Sequence, residues 1–505
     1  MSKGRVQNSI RNVFFSFLNL VVTFILNFVS RTIFIYVLGT EFLGINGLFS
    51  EILMMLSLAD LGLGSAMVYS FYKPLAEKDN KKIISLINTY KKIYTYIALV
   101  VTIIGISIIP FLNYIIKLDK PINNLKIYYI LFVLNSVASY LFIYKSSLLN
   151  ADQKGYIIAK FSMVFNSIRI VVQAVFLLIT HNYIVYLIVQ ILFTLINNIF
   201  IGYKVDKLYP HFKGNYKLQK DEAKGIFDNV KSVFLYKVSG VLLNGTDNTL
   251  ISLLVGTIYV GYYSNYNMII GTVSKFINTI FTALTASIGN LMTEDNNEKR
   301  FNVFKIIQTG SFIIGGISTI CLYLLIDDFI NLWIGKNFIF DKFTLMAILS
   351  NFYLSSVLPP IWIYREAAGI FKKTKYLMLI TAIINLVMSI ILGKLYGIGG
   401  IIAASLISRL VTYFWYEPIL LYKMYFNSSV KKYFISHLLN VILLVGAIFT
   451  VDKVTQFIVV LEWSTFFIKA GLVLVLSTII YFIIYSMTKE FKYLIELGKN
   501  MILKK

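Results

Sequence analysis

The chain has 505 residues, of which 58% are hydrophobic and only 14% charged. No soluble domain of this length has that balance, and no long polar block could form a separate globular domain. The net charge of +23 does not mark a nucleic-acid binder, because the basic residues fall in loops between apolar segments and form no single patch. The lone cysteine, Cys321, excludes an internal disulfide. Only His181, His211 and His437 are present and they lie far apart, so neither a metal site nor a cofactor is expected.

A bilayer-spanning helix takes about 20 apolar residues. That length picks out fourteen segments, at about 12–38, 42–71, 93–116, 127–149, 157–179, 184–202, 232–255, 258–292, 306–326, 343–364, 376–393, 398–416, 434–450 and 464–487. The expected fold is therefore an all-α polytopic membrane protein. Lys3, Arg5 and Arg11 precede a first apolar segment too long for a signal-peptide core, which reads as an uncleaved signal anchor with a cytoplasmic N-terminus. With that orientation the inner stretches hold 33 of the 47 basic residues and the outer stretches 7, a strong positive-inside bias, and both termini are cytoplasmic. The lysine-rich loop 203–231 and the amphipathic tail after residue 488 suit the surface of an anionic inner leaflet.

The first two segments carry three charges in apolar text: Arg31, Glu51 and Asp60. A charge at bilayer depth costs about 2.5–3.5 kcal/mol on insertion scales, so three on one hairpin point to a polar cavity. Seven basic residues lie within segments: Arg31, Lys145, Arg169, Lys237, Lys275, Arg409 and Lys469. Lys145, Lys237 and Lys469 sit near segment ends, where an ammonium snorkels to the interface. Arg169, Lys275 and Arg409 lie nearer mid-span. Three of the 7 arginines but only 4 of the 40 lysines are intramembrane. Arginine grips phosphate oxygens in bidentate fashion, so Arg31, Arg169, Arg409 and Lys275 are either an anion site, with a diphosphate the best fit, or partners for Glu51, Asp60, Asp247 and Glu417. Glu51, Asp60 and Asp247 either bind a coupling H+ or Na+ or balance the arginines. Pro359 and Pro360 interrupt the tenth segment, as a hinge or as a plain helix end.

Val37–Phe49 (VLGTEFLGINGLF) and Leu254–Tyr266 (LVGTIYVGYYSNY) form an internal repeat at an offset of 217. Gly39 matches Gly256, Thr40 matches Thr257, Gly44 matches Gly261 and Phe49 matches Tyr266. Each copy follows an odd-numbered segment, so the repeat is parallel, with its axis along the membrane normal. The expected organisation is a six-helix lobe over 1–205, a basic cytoplasmic loop over 206–230, a second six-helix lobe over 231–425, two extra helices over 426–490 and a basic tail over 491–505.

The stretch from Ser30 to Ala66, SRTIFIYVLGTEFLGINGLFSEILMMLSLADLGLGSA, resembles the polysaccharide-transporter family of bacterial lipid-linked oligosaccharide flippases. These are the Wzx-type members of the multidrug/oligosaccharidyl-lipid/polysaccharide (MOP) superfamily. Ile330–Gly335 (INLWIG) and Leu395–Ala404 (LYGIGGIIAA) are similar to weaker marks of that family. The resemblance implies two six-helix lobes around a cationic cavity in the bacterial cytoplasmic membrane. It implies alternating-access transfer of undecaprenyl-diphosphate-linked oligosaccharide units to the outer leaflet, for a capsule or another surface polysaccharide. Anionic lipids and other polysaccharide assembly proteins are the expected neighbours of a monomeric transporter, not an enzyme. Two alternatives stand beside it. A MATE-like multidrug exporter would favour an acidic cavity. A membrane polysaccharide polymerase or ligase would carry a large outer loop with catalytic arginines or histidines.

Overall fold

The computed structural model describes residues 3–503 except 57–62, 118–121, 213, 215, 217, 219–237, 239, 244, 283, 294–295 and 369–370. The described residues are almost entirely helical, without a strand among them. They form α1 (Lys3–Leu38), α2 (Thr40–Leu56), α3 (Leu63–Glu77), α4 (Asn80–Ile108), α5 (Leu125–Tyr140), α6 (Ile143–Ala151), α7 (Gly155–Thr180), α8 (Tyr183–Leu208) and α9 (Asp247–Leu254). Next come α10 (Thr257–Thr282), α11 (Thr285–Thr293), α12 (Asn297–Ile334), α13 (Lys342–Val357), α14 (Pro359–Ala367) and α15 (Phe371–Val411). The last are α16 (Tyr413–Leu421), α17 (Lys431–Thr455), α18 (Trp463–Tyr485) and α19 (Lys489–Leu503).

Several helix starts carry the side chains that free amides require. Asp79 accepts from the Lys82 amide at 3.0 Å, and Asn296 from the Lys299 amide at 2.9 Å. Asp341 accepts from the Thr344 amide at 3.0 Å. Partial burial opposes ionisation of Asp341, but the bonds from Thr344 outweigh it and hold the carboxyl below its usual range. A capping box between Glu462 and Thr465 opens α18.

Eight described helices are long and apolar enough to cross a membrane, or ten if each of two bent pairs counts as one span. The shortfall from fourteen has identifiable causes. Segment 42–71 is shared between α2 and α3, with 57–62 outside the described residues. Most of the first half of segment 232–255 also lies outside them. Segment 258–292 is diluted by Asn265, Asn267, Ser274, Lys275 and Asn278. Segments 376–393 and 398–416 run together, and the break between them is Gly397, at φ 60° and ψ −137°, a conformation closed to residues with a β-carbon.

The chain divides into two compact units, Met1–Gly261 and Tyr262–Lys505. In the first, α1 lies along α7, α8 packs on α5 and α7, and α3 on α4 and α6. One core gathers Met67, Phe71, Tyr90, Val101, Leu148 and Ile201. Another gathers Phe34, Ile45, Leu48, Phe49, Tyr129 and Leu187. In the second unit α12 is central, touching α13, α17, α18 and α19 around Phe312, Ile320, Val357, Val451 and Val473.

The first unit ends at Gly261, within the second copy of the internal repeat. Inside this unit the Gly-Thr turns of the two copies pack on each other. A β-carbon at Gly261 would stand 2.6 Å from the Thr40 carbonyl oxygen, and one at Gly44 would collide with the Thr257 carbonyl oxygen. The approach is reciprocal, with the glycine of each copy receiving the threonine carbonyl of the other. The Thr257 amide is further tied to the Lys117 carbonyl at 3.0 Å, and its hydroxyl to Ser252 at 2.8 Å. Gly44→Ala and Gly261→Ala should each destabilise by about 1–3 kcal/mol, the range for overpacking. Gly446→Ala, at a helical position with open space around it, should be neutral. Thermal unfolding in detergent checks this, and equal behaviour of all three variants would refute the contact.

Candidate functional site

In the first unit two of the intramembrane cations act on one phenol. Arg31 on α1 and Arg169 on α7 both lie close enough to the Tyr186 hydroxyl on α8 to act on it electrostatically, and Tyr186 also bonds the Ser30 side chain. Gln173, itself buried, donates to the Tyr186 carbonyl at 3.0 Å and ties α7 to α8. The Phe34 ring meets Tyr183 and Tyr186 edge-on at 5.6 and 5.3 Å. The Arg169 Nε is buried without a hydrogen-bond partner. Two guanidinium groups and a phenol on three helices make a site that suits an anion with several oxygens.

Sequence reasoning named the two arginines but missed Tyr186, Ser30 and Gln173. It also missed a stripe that was legible. Asn19, Thr23, Asn27 and Arg31 recur every four residues, which is one face of a helix. Thr23 donates to Asn19 within that stripe at 3.2 Å.

Glu51 is buried on α2, and its carboxylate accepts the Asn248 amide at 3.0 Å and the Thr249 amide at 3.5 Å. It thus caps the first turn of α9, with Asp247 beside it on the same turn. Asp60 lies outside the described residues, as does Lys237. Lys145 is ion-paired to Asp206 at 2.6 Å.

In the second unit Lys275 is exposed on α10, in a polar row with Asn267, Gly271 and Asn278. Arg409, on the last turn of α15, donates to the Ser355 hydroxyl of α13 at 3.1 Å. Glu417, weighed as a partner for the mid-span arginines, pairs instead with Arg365 at 2.6 Å, both side chains being less than a tenth exposed. Lys469 pairs with Asp328 at 2.7 Å.

Pro359 and Pro360 open α14, which is bent by 40° from α13. The break turns the Ile361 amide to the Leu358 carbonyl and leaves the Val357 carbonyl outside the helical ladder. Gln308 takes up that carbonyl at 3.0 Å, and the Ser311 hydroxyl reaches it at 3.5 Å. The same unit holds an apolar cavity of about 930 Å³, lined by Leu349, Tyr353, Leu410, Val441 and Val445, with His437 on its wall.

Residues 9–288 match the family model described as polysaccharide biosynthesis protein. No curated protein matches the sequence. Among solved structures, the lipid II flippase MurJ in an inward closed conformation is similar at 16% identity and a TM-score of 0.71, over 95% of this chain and 99% of that one. An inward-facing multidrug-resistance MATE family transporter of the MOP superfamily is similar at 16% identity and 0.56, over 80% and 97%. A MOP superfamily transporter from Pyrococcus furiosus Vc1 is similar at 14% identity and 0.56, over 81% and 95%. The fold is that of MOP superfamily transporters.

The Arg365–Glu417 pair carries its own prediction. Removing one partner leaves a buried charge without compensation, at a cost of about 3–5 kcal/mol. Arg365→Gln and Glu417→Gln should each lose monodispersity on heating well before the parent, and Arg365→Met with Glu417→Leu should recover most of the loss. A double variant no better than either single one would show that charge compensation is not what the pair provides.

Proposed function

The chain belongs to the polysaccharide biosynthesis protein family, and from that premise we propose that it is a flippase. It moves undecaprenyl-diphosphate-linked oligosaccharide repeat units from the inner to the outer leaflet of a bacterial cytoplasmic membrane by alternating access. The observation that carries the reading is the Arg31–Arg169–Tyr186 cluster, with an Arg169 Nε that is buried and without a hydrogen-bond partner. A diphosphate presents several anionic oxygens to such a cluster, and two planar guanidinium groups can each take two of them. Tyr186 adds a neutral donor that holds the ester oxygens without raising the local charge. In the second unit Lys275, exposed in a row with Asn267, Gly271 and Asn278, has a chemistry that suits sugar hydroxyls. The 930 Å³ apolar cavity of the second unit has the chemistry of an isoprenoid chain. Similarity to the lipid II flippase supports a lipid-linked substrate.

Coupling to H+ or Na+ is assigned to Asp60 and Asp247, since Glu51 already serves two backbone amides. A MATE-like drug exporter is the second reading, favoured by the likeness to the MATE family transporter. It is weakened by basic side chains where cationic drugs would need acidic ones.

Transbilayer movement in proteoliposomes tests the reading. An undecaprenyl-diphosphate oligosaccharide should become accessible to an external glycosidase only when protein is present. Arg169→Gln should slow that movement about tenfold or more while thermal stability is retained, and normal movement would remove Arg169 from the site. No movement with or without an ion gradient, together with drug efflux, would favour the exporter. For topology, a cysteine replacing Asn337 should be labelled from outside and one replacing Lys217 only from inside. The opposite pattern would invert the orientation.

A further inference from the structure

A second cavity, of about 680 Å³, lies wholly within the second unit where the starts of α12 and α17 meet the end of α18. Its position follows from its lining. Lys305 stands two turns into α12, Lys432 in the first turn of α17, and Thr488 and Glu490 just beyond α18. Lys299, Arg300, Lys431 and Lys489 belong to the same helix ends without lining the cavity, so this end of the unit is rich in positive charge, as the cytoplasmic ends of membrane helices are. Further in, the lining changes to Leu439, Leu443 and Ile484.

The polar groups between these two zones are a built arrangement. Asn440 accepts from the Tyr485 hydroxyl and donates to the Ser436 carbonyl at 2.8 Å. Gln308 spends its amide on Ser311 and Val357, while its carbonyl oxygen is buried without a partner. Tyr433 is 3% exposed, and its hydroxyl likewise has no partner. Buried polar atoms in folded proteins are nearly always bonded, so two unsatisfied ones on one cavity wall point to a ligand. One carboxylate, Glu490, stands at the mouth, ion-paired to Lys305 at 3.4 Å. Lys432 is exposed.

We propose that this cavity binds an anionic phospholipid of the inner leaflet, with its phosphate between Lys305 and Lys432 and its acyl chains along Leu439, Leu443 and Ile484. The gradient from ammonium groups through hydroxyl and amide groups to aliphatic side chains matches a phospholipid read from headgroup to tail, and basic pockets between helices on the cytoplasmic side suit anionic headgroups. The Tyr433 hydroxyl donates to an ester or phosphate oxygen, and the Gln308 carbonyl accepts from a headgroup hydroxyl. Bound lipid also competes with Glu490 for Lys305, so headgroup binding loosens the tie between α12 and the amphipathic helix α19. The proposal does not depend on what the protein transports.

The test is native mass spectrometry of the full chain in detergent, titrated with phosphatidylglycerol or phosphatidylcholine. Phosphatidylglycerol should be retained preferentially. Lys305→Gln and Lys432→Gln should each weaken its binding about fivefold, which corresponds to ~1 kcal/mol per basic residue at an anionic surface. Lys431→Gln, one residue away but outside the cavity, should have little effect. Glu490→Gln should strengthen binding, a change of sign that loss of folding cannot mimic. Equal retention of the two lipids, or an equal loss in Lys431→Gln, would overturn the site in favour of general surface charge. Displacement of the lipid by soluble glycerol phosphate at similar concentration would overturn it in favour of a free phosphate.

Discussion

A helix that breaks inside hydrocarbon releases amides and carbonyls that water cannot reach, and each must be answered by the protein itself. That constraint organises this molecule. Where α9 begins, its first amides are met by the Glu51 carboxylate from α2. Where α13 gives way to α14 at Pro359, the released Val357 carbonyl is met by Gln308 from α12. The polar side chains that look misplaced in apolar segments are, in these two cases, the caps of broken helices. They make each break specific to one partner helix, and so they locate the breaks as firmly as the prolines and glycines do.

The same accounting sorts the buried charges. Lys145, Lys469 and Arg365 each have an acid within 2.7 Å and are balanced within their own unit. Arg31 and Arg169 are arranged differently, around a phenol, on helices α1 and α7 that lie along each other. Two like charges within electrostatic reach of one hydroxyl repel each other, and a polyanion placed beside them would offset that repulsion. Bonding partners therefore sort these cations more finely than depth in the membrane does. By depth alone Arg409 stood beside Arg169, yet it holds Ser355 on the neighbouring helix.

The paired glycines of the internal repeat add a third element. They let the α2 and α10 backbones approach so closely that the threonine carbonyls occupy the space of a side chain. A repeat in sequence is usually read as a record of duplication. Here the repeated glycines and threonines are also one contact surface within the first unit, which ends at Gly261.

Composition and apolar run length were enough to establish a polytopic all-helical membrane protein, because burial in lipid leaves the chain few choices and each span carries its signal locally. The Gly-Thr repeat, the cations in apolar text and the proline break were legible for the same reason: each is a local exception to a local rule. The polar stripe through Asn19, Thr23, Asn27 and Arg31 belongs with them, since helical periodicity alone displays it. Which helices would touch was not local. That Glu51 meets a helix start 197 residues away, that Glu417 pairs with Arg365, and that Tyr186 comes within electrostatic reach of both Arg31 and Arg169 were decided by tertiary packing. The physical reason is that a side chain's partner in a low-dielectric interior is set by distance, and distance between segments is a property of the folded chain.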